Sequence, residues 1–297
     1  MKKLILILIT ISFISCERDI TVNFPQPPDL LVVEGHIENG QYAYVHLTKN
    51  SSYFAPTDTA TLLSYIIANA TVVVSDGVIY DTLTFTLDFN NFPYFPLVYK
   101  GSKIIGQPNH FYSLKITANG QTVTAYTSIP IPVVPDSTWF KVEQNLDSLG
   151  YVWARFKDPD TLGNSYRFMT KRISHYHTPY DSSIKDKDFL TDINSVFTDK
   201  IFNGTTPSFD FDRGHVPYDT NADEHNIERG LFVKGDTIIF KFISIDRPHF
   251  DFWNTEGIAA ESSGNPFASP ITIKSNIVGG LGIWGGYGAV YDTIIAK

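Results

Sequence analysis

The residues with the clearest metal-binding character lie in the polar stretch from His175 to Glu228. His175 and His177 alternate, so on a strand they would share one face, and Asp181 follows a few residues later. Such a group could contribute to a metal site. Two neighbouring histidines in a polar loop are more often exposed to solvent, and we favour that interpretation.

A second acidic group lies further along the same stretch. Asp210 and Asp212 flank Phe211 and precede Arg213 and Gly214, an order that invites comparison with calcium-binding loops. The regular run of oxygen ligands of such loops is missing, so a solvated loop is the better interpretation. Carboxylates are numerous enough for a glycosidase pair, but the sequence gives no distance between them. We therefore predict no metal site, no cofactor and no catalytic residue.

The motifs of common enzyme classes are absent from the sequence or wrongly placed. It contains no Gly-x-Ser-x-Gly elbow, His-Glu-x-x-His zinc site or P-loop. Residues 280–285 match Gly-x-Gly-x-x-Gly, but they open no βαβ unit. We interpret the glycine-rich tail, residues 279–288, as structural: bulged or tightly turned strands that pack against the C-terminal domain and allow close backbone approach, with Trp284 in the core.

An aromatic segment between two predicted strands is the candidate contact surface. Its rings alternate with prolines, which would stiffen a loop and let exposed rings stack on a ligand or anchor a partner. The alternative, which we favour, is that the rings close one end of the core, because exposed aromatics are costly unless they are used. The candidate contact residues are Phe92, Tyr94, Phe95 and Tyr99.

The N-terminus is typical of an exported lipoprotein. A positively charged start precedes the apolar residues 4–14, a stretch shorter than the roughly 20 residues that span a bilayer. Residues 1–15 therefore match a signal peptide. Ser15 followed by Cys16, the one cysteine of the chain, resembles a lipobox. We predict that Cys16 is lipidated and becomes the first mature residue; an ordinary secretory leader with an incidental cysteine is the alternative.

Composition and charge narrow the class of protein. The chain has 297 residues, of which 43% are hydrophobic, 14% aromatic and 18% charged, a balance that suits strands buried on one face. The formal net charge is −8, and loss of the two leader lysines would leave about −10. Because phosphate neutralisation needs clustered basic residues, nucleic acid is excluded as a partner.

The first part of the mature chain has the pattern of an antiparallel sandwich. Residues 16–29 form a proline-rich, lipidated tether. After it, three Asn-Gly or Asp-Gly pairs each separate two runs that are typical of strands. The pairs lie at 39–40, 76–77 and 119–120. We predict that residues 30–128 form an Ig-like β-sandwich domain.

The remainder predicts a second β-sandwich-like domain, which makes the protein all-β. Residues 129–135 contain three prolines and are interpreted as an interdomain linker; an edge strand crossing between the sheets of one domain is the alternative. Residues 136–297 form the second domain. It is expected to have strands at 151–156, 166–173 and 237–245, one short helix at 249–260, and long loops between His175 and Glu228.

Several of these segments together resemble a known family. They are Leu31-Val32-Val33-Glu34-Gly35, Gly264-Asn265-Pro266-Phe267, and the run from Ser275 to Trp284. With them the chain resembles a Bacteroidota lipoprotein family catalogued as domain of unknown function 4249. The resemblance implies location and architecture, because no activity is assigned to that family.

The same resemblance implies a place in the cell envelope. Members are similar to outer-membrane lipoproteins encoded beside TonB-dependent transporters. We therefore expect a non-enzymatic accessory or binding component of the outer membrane, held by its N-terminal lipid and acting in nutrient capture or envelope assembly. A surface-anchored hydrolase and a structural adhesin are the alternatives. A hydrolase should show a pocket with paired titratable groups, and an adhesin should expose strand edges.

Overall fold

The described residues of the protein are mostly β, with three sheets and two short helices. The computed structural model describes residues 28–51, 58–88, 96–174, 186, 188–214, 230–262, 265, 267–269 and 271–297. The predicted β class is confirmed. The Ig-like character of the first part stays a prediction.

Both halves of the chain combine short and long strands. Up to residue 129 they are β1 (Leu31–Glu38), β2 (Tyr42–Lys49), β3 (Thr71–Ser75), β4 (Tyr80–Thr82), β5 (Thr84–Leu87), β6 (Leu97–Ile105), β7 (His110–Ala118) and β8 (Gln121–Ile129). After residue 129 they are β9 (Pro135–Val142), β10 (Leu149–Phe156), β11 (Ser165–Ser174), β12 (Val196–Thr198), β13 (Ser208–Phe211), β14 (Phe232–Val233), β15 (Thr237–Ile245) and β16 (Leu281–Ile295). The helices are α1 (Thr59–Ser64) and α2 (Arg247–Ser262), with a 3-10 turn at Asp199–Ile201.

One large sheet joins the two halves of the chain. Its eight strands lie in the order β12-β11-β15-β16-β1-β2-β6-β5. At its centre β16 pairs with β1 in parallel, from Val32 opposite Leu281 to Glu38 opposite Tyr287. The boundaries predicted at 30–128, 129–135 and 136–297 stay predictions, but this sheet draws strands from both sides of residues 129–135.

Two small sheets cover one face of the large sheet. The sheet β4-β3-β7-β8 encloses a first core, to which β16 contributes Trp284, fully buried and donating its indole N–H to the Tyr112 carbonyl at 3.2 Å. The sheet of β13, β10, β14 and β9 encloses a second core, rich in phenyl rings such as Phe156 and Phe242. Both cores lie on the same face of the large sheet. Along each of its strands the core side chains alternate with side chains that point to the opposite face. The prediction that Trp284 is buried is confirmed, but its indole lies in the core of the first half and not against the C-terminal domain as we expected.

The local turn signals are confirmed as hairpins. Asn119 and Gly120 both have positive φ, 50° and 75°, as a tight I′ turn requires, and join β7 to β8. The pairs at 39–40 and 76–77 also join β1 to β2 and β3 to β4, but only Gly40 and Gly77 have positive φ, 78° and 91°, so neither is a I′ turn. The hairpins therefore follow from local sequence alone.

The glycine-rich tail forms one long strand, β16, where we expected several bulged or turned strands. Its glycines make room on both faces. A Cβ at Gly286 would lie 2.1 Å from the Ser128 carbonyl oxygen of β8, and one at Gly285 would lie 1.9 Å from the ring of His249 on α2. These contacts confirm the structural role of the glycines, because neighbouring backbone and the helix occupy the space of a side chain.

Two expectations for the second half need adjustment. The helix predicted at 249–260 is present as α2, extended to Arg247–Ser262. The stretch from His175 to Glu228 was expected to be loop, but its described part holds β12, the 3-10 turn and β13, because Phe197, Phe202 and Phe211 pack into the second core. In the described ranges, no helix combines the length and apolar character needed to cross a membrane.

Candidate functional site

The large sheet carries a row of polar side chains on the face opposite the two cores. On β1, Leu31, Val33 and Ile37 point into the first core, so Glu34, His36 and Glu38 point away from it. Strand register extends this row across six strands, and α2 packs over part of it. We name this surface the polar face; it consists of Glu34, His36, Glu38, Tyr44, His46, Lys100, Arg167, Lys241, Tyr287 and Tyr291.

A buried ion pair lies near the middle of the polar face. Lys241 of β15 and Glu38 of β1 are both almost fully buried, with Nζ 2.5 Å from Oε2. The Tyr291 hydroxyl donates to the other Glu38 oxygen, and the Lys241 ammonium lies 5.3 Å from the centroids of the Tyr287 and Tyr291 rings. Because each charge is paired and hydrogen-bonded, these groups are satisfied without any further molecule.

Arg167 of β11 is buried without a carboxylate partner. Its guanidinium donates to the Tyr287 hydroxyl at 2.9 Å and to Ser195 Oγ at 3.4 Å, and stacks on the Trp253 ring of α2 at 3.7 Å. No described residue forms an ion pair with it, although it is only 4% exposed. A buried guanidinium held only by neutral groups leaves positive charge uncompensated.

Glu34 has the opposite sign and is also unpaired. Its side chain is exposed, and it has no hydrogen bond or ion pair to any residue that the structure describes. Protein around its remaining sides displaces water and raises the pKa of Glu34, an effect that Glu256 reinforces and Arg167 opposes. Glu34 and Arg167 are therefore close enough to interact electrostatically, yet they are held apart.

Three histidines of this region are held neutral. Burial, helped by the charges of Lys241 and Arg167, lowers the pKa of His36 to about 3, and burial lowers the pKa of His46 to about 4. His249, in the first turn of α2, is 1% exposed, and burial together with Arg167 and His36 lowers its pKa well below the usual 6.5. Neither ring nitrogen of His249 has a hydrogen-bond partner within the described chain.

Of the four predicted contact residues, the structure describes Tyr99. Phe92, Tyr94, Phe95 and Cys16 lie outside the described residues. Tyr99 is on β6 and only 2% exposed; its hydroxyl donates to the Ile67 carbonyl and accepts from the Ala70 N–H, both at 2.8 Å. A ring packed in this way belongs to the core, as in the alternative interpretation, and offers no surface to a partner.

Of the two fragments that we considered as metal sites and set aside, the structure describes one. His175, His177 and Asp181 lie outside the described residues. Asp210 and Asp212 line a pocket beside β13. Burial, and then the neighbouring Asp192, with which Asp212 shares a hydrogen bond, raise the pKa of Asp212 to about 7. Across the described ranges, no three His, Cys, Asp or Glu residues are grouped to hold a metal ion.

Sequence reasoning did not single out the polar face. The signal for β1 was available, because Glu34, His36 and Glu38 alternate with apolar residues on a strand whose other side is buried. Arg167 gave no local signal, since its position beside Glu34 depends on the pairing of β11, β15, β16 and β1.

A protein-family model matches most of the chain. The family model described as Domain of unknown function (DUF4249) matches residues 17–291. No curated protein matches the chain.

Proposed function

This chain belongs to the family described as domain of unknown function 4249, and from that premise we propose that it is a non-enzymatic binding lipoprotein of the outer membrane. Cys16 would carry the lipid, and the mature protein would act beside a TonB-dependent transporter, in nutrient capture or envelope assembly. The resemblance of the chain to Bacteroidota lipoproteins and its leader sequence support this placement.

One observation carries the binding role: Glu34 is accessible and unpaired beside a buried, unpaired Arg167. Isolated buried charge is costly, so a fold that keeps such charge without a partner supports a functional use. An approaching group that donates a hydrogen bond to the Glu34 carboxylate would stabilise its ionised form, whose negative charge opposes the charge of Arg167. The polar face therefore suits a partner or ligand that presents a neutral hydrogen-bond donor.

The anchor is tested by Cys16→Ala. We expect the mature protein to leave the membrane fraction and to lose incorporation of labelled palmitate, because the acyl chains supply its anchor. Equal labelling of the variant and the wild type would contradict lipidation at Cys16.

The partner is tested by affinity purification of the lipidated protein from its native membrane, with mass spectrometry of what co-purifies. We expect a TonB-dependent transporter in stoichiometric amount. Recovery of the protein without any transporter would contradict the accessory role.

A surface hydrolase is the second candidate, and one observation favours it. Asp192 and Asp212 share a hydrogen bond beside a pocket, and the pKa of Asp212 is raised to about 7, as in carboxylate pairs that exchange a proton. A hydrolase would cleave chromogenic glycosides or esters and lose that activity in Asp212→Asn. A wild-type protein that cleaves neither class of substrate would remove this candidate.

A further inference from the structure

A pocket of about 360 Å³ opens where the edge strands of two sheets meet. The strand β12 ends the large sheet and β13 ends the sheet that covers the second core, and both contribute to the lining. The volume lies in the range of small-ligand sites, roughly 300–1,000 Å³. The lining contains none of the residues of the polar face, so this site is separate from the leading proposal; it is the pocket beside which the hydrolase candidate places Asp212.

The pocket walls are mostly aromatic. The rings are those of Tyr151, Phe168, Phe197, Phe202, Phe209 and Phe211. Phe209 lies 5.6 Å from Phe197 and 5.2 Å from Phe202, measured between ring centroids, with the ring planes tilted, so the three rings pack against one another in the wall of the pocket. Aromatic faces carry negative electrostatic potential, and several faces around one space form the cage that ammonium groups favour.

Two carboxylates complete the lining. The carboxylate of Asp210 is exposed and has no hydrogen bond or ion pair with any described residue. Asp212 is half-buried; it accepts from the Gly214 N–H at 3.2 Å and shares a hydrogen bond with Asp192. No lysine or arginine of the described chain forms an ion pair with Asp210 or Asp212. The walls of the pocket are therefore mostly apolar, and the two carboxylates give it a negative charge.

We propose that this pocket binds a small organic cation, an alkylated ammonium whose alkyl groups pack on the phenyl rings and whose charge lies against Asp210 and Asp212. An anion would be repelled by the carboxylates. A neutral apolar ligand would cover the carboxylates without compensating their charge, which costs free energy. A cation with an apolar surface satisfies both the rings and the carboxylates.

The test is isothermal titration of the full chain with choline and with dimethylbutanol, the uncharged carbon isostere of choline. We expect choline to bind at least tenfold more tightly than the alcohol, because the two differ only in charge. The double variant Asp210→Asn, Asp212→Asn should lose at least tenfold in choline affinity. Asp136→Asn, at an exposed aspartate of β9, is the matched control and should bind like wild type.

Phe209→Leu keeps the charge and removes one ring of the cage, and it should weaken choline binding severalfold while the midpoint of thermal unfolding shows that the fold is kept. Equal affinity for choline and the alcohol would overturn the proposal. So would a folded wild-type protein that binds no choline at tens of millimolar, or a double variant that binds choline like wild type.

Discussion

The two faces of the large sheet bury their side chains in opposite ways. The face toward the two small sheets is filled with apolar and aromatic residues, and Trp284 of the last strand completes the core of the first half. The polar face holds the Glu38–Lys241 pair, the unpaired Arg167 and neutral histidines. Apolar burial stabilises a fold directly, whereas buried charge at best offsets its own desolvation. The apolar face therefore explains the stability of the fold, whereas the cost of the buried charge on the polar face indicates a functional role.

Trp284→Ala tests the apolar face and should have the largest effect. Removal of the indole leaves a cavity and removes its hydrogen bond to the Tyr112 carbonyl, so we expect a loss of about 3–5 kcal/mol in the free energy of unfolding. Urea unfolding measures it. Phe267→Ala is the matched control, because that ring is 94% exposed and its loss should cost less than about 0.5 kcal/mol. An unchanged Trp284→Ala midpoint would contradict the burial of the indole.

Lys241→Met tests the paired part of the polar face. It leaves the Glu38 carboxylate buried with only the Tyr291 hydroxyl as donor, so we expect a loss of about 3 kcal/mol at neutral pH. Lys115→Met, at an exposed position of β7, is the control for the loss of a lysine. The double variant Glu38→Gln, Lys241→Met should recover part of the lost stability. A double variant less stable than Lys241→Met would show that the pair itself is strongly stabilising.

His46→Gln tests the neutral histidines through the pH dependence of stability. The unfolded chain protonates His46 near pH 6.5, whereas the folded protein does so only near pH 4. Between these pH values the unfolded chain binds a proton at His46 that the folded protein does not bind. The free energy of unfolding is therefore unaffected by protonation of His46 above pH 6.5 and decreases as the pH drops toward 4. From pH 7 to pH 5, wild type should lose about 2 kcal/mol more than the variant.

That comparison isolates one histidine, because the carboxylates whose pKa values are raised, such as Glu34 and Asp212, are present in both chains. His110→Gln, at an exposed ring, is the matched control. Urea unfolding at the two pH values gives the result. Identical pH dependence in wild type and His46→Gln would refute the neutral, buried state of His46.

Much of the fold could be predicted from local sequence, and the site could not. The hairpins follow from Asn-Gly and Asp-Gly pairs, which act through two residues of backbone, and the buried Trp284 follows from its apolar neighbours. The parallel pairing of β1 with β16 joins residues about 250 positions apart, and alternation within either strand does not name its partner.

The site depends on that distant pairing. Glu34 on β1 shows only that one side of the strand is polar, and the sequence does not place Arg167 near it. Tyr99 shows the reverse case: we favoured a core position for the rings of its aromatic, proline-rich segment, and a strand and two backbone hydrogen bonds hold the Tyr99 ring in the core. Chemistry that is assembled across a sheet is visible only once the strand order is known.

The binding role of the polar face is tested by transporter capture with the variant Glu34→Gln. Glu143→Gln, at an exposed glutamate of the opposite half, is the matched control. The variant keeps the shape of residue 34 and removes its charge, and it should unfold no more easily than wild type, because the surrounding protein already disfavours the ionised form. We expect at least a tenfold loss of captured transporter for Glu34→Gln and no loss for Glu143→Gln. Equal capture by both variants would contradict the polar face as the binding surface.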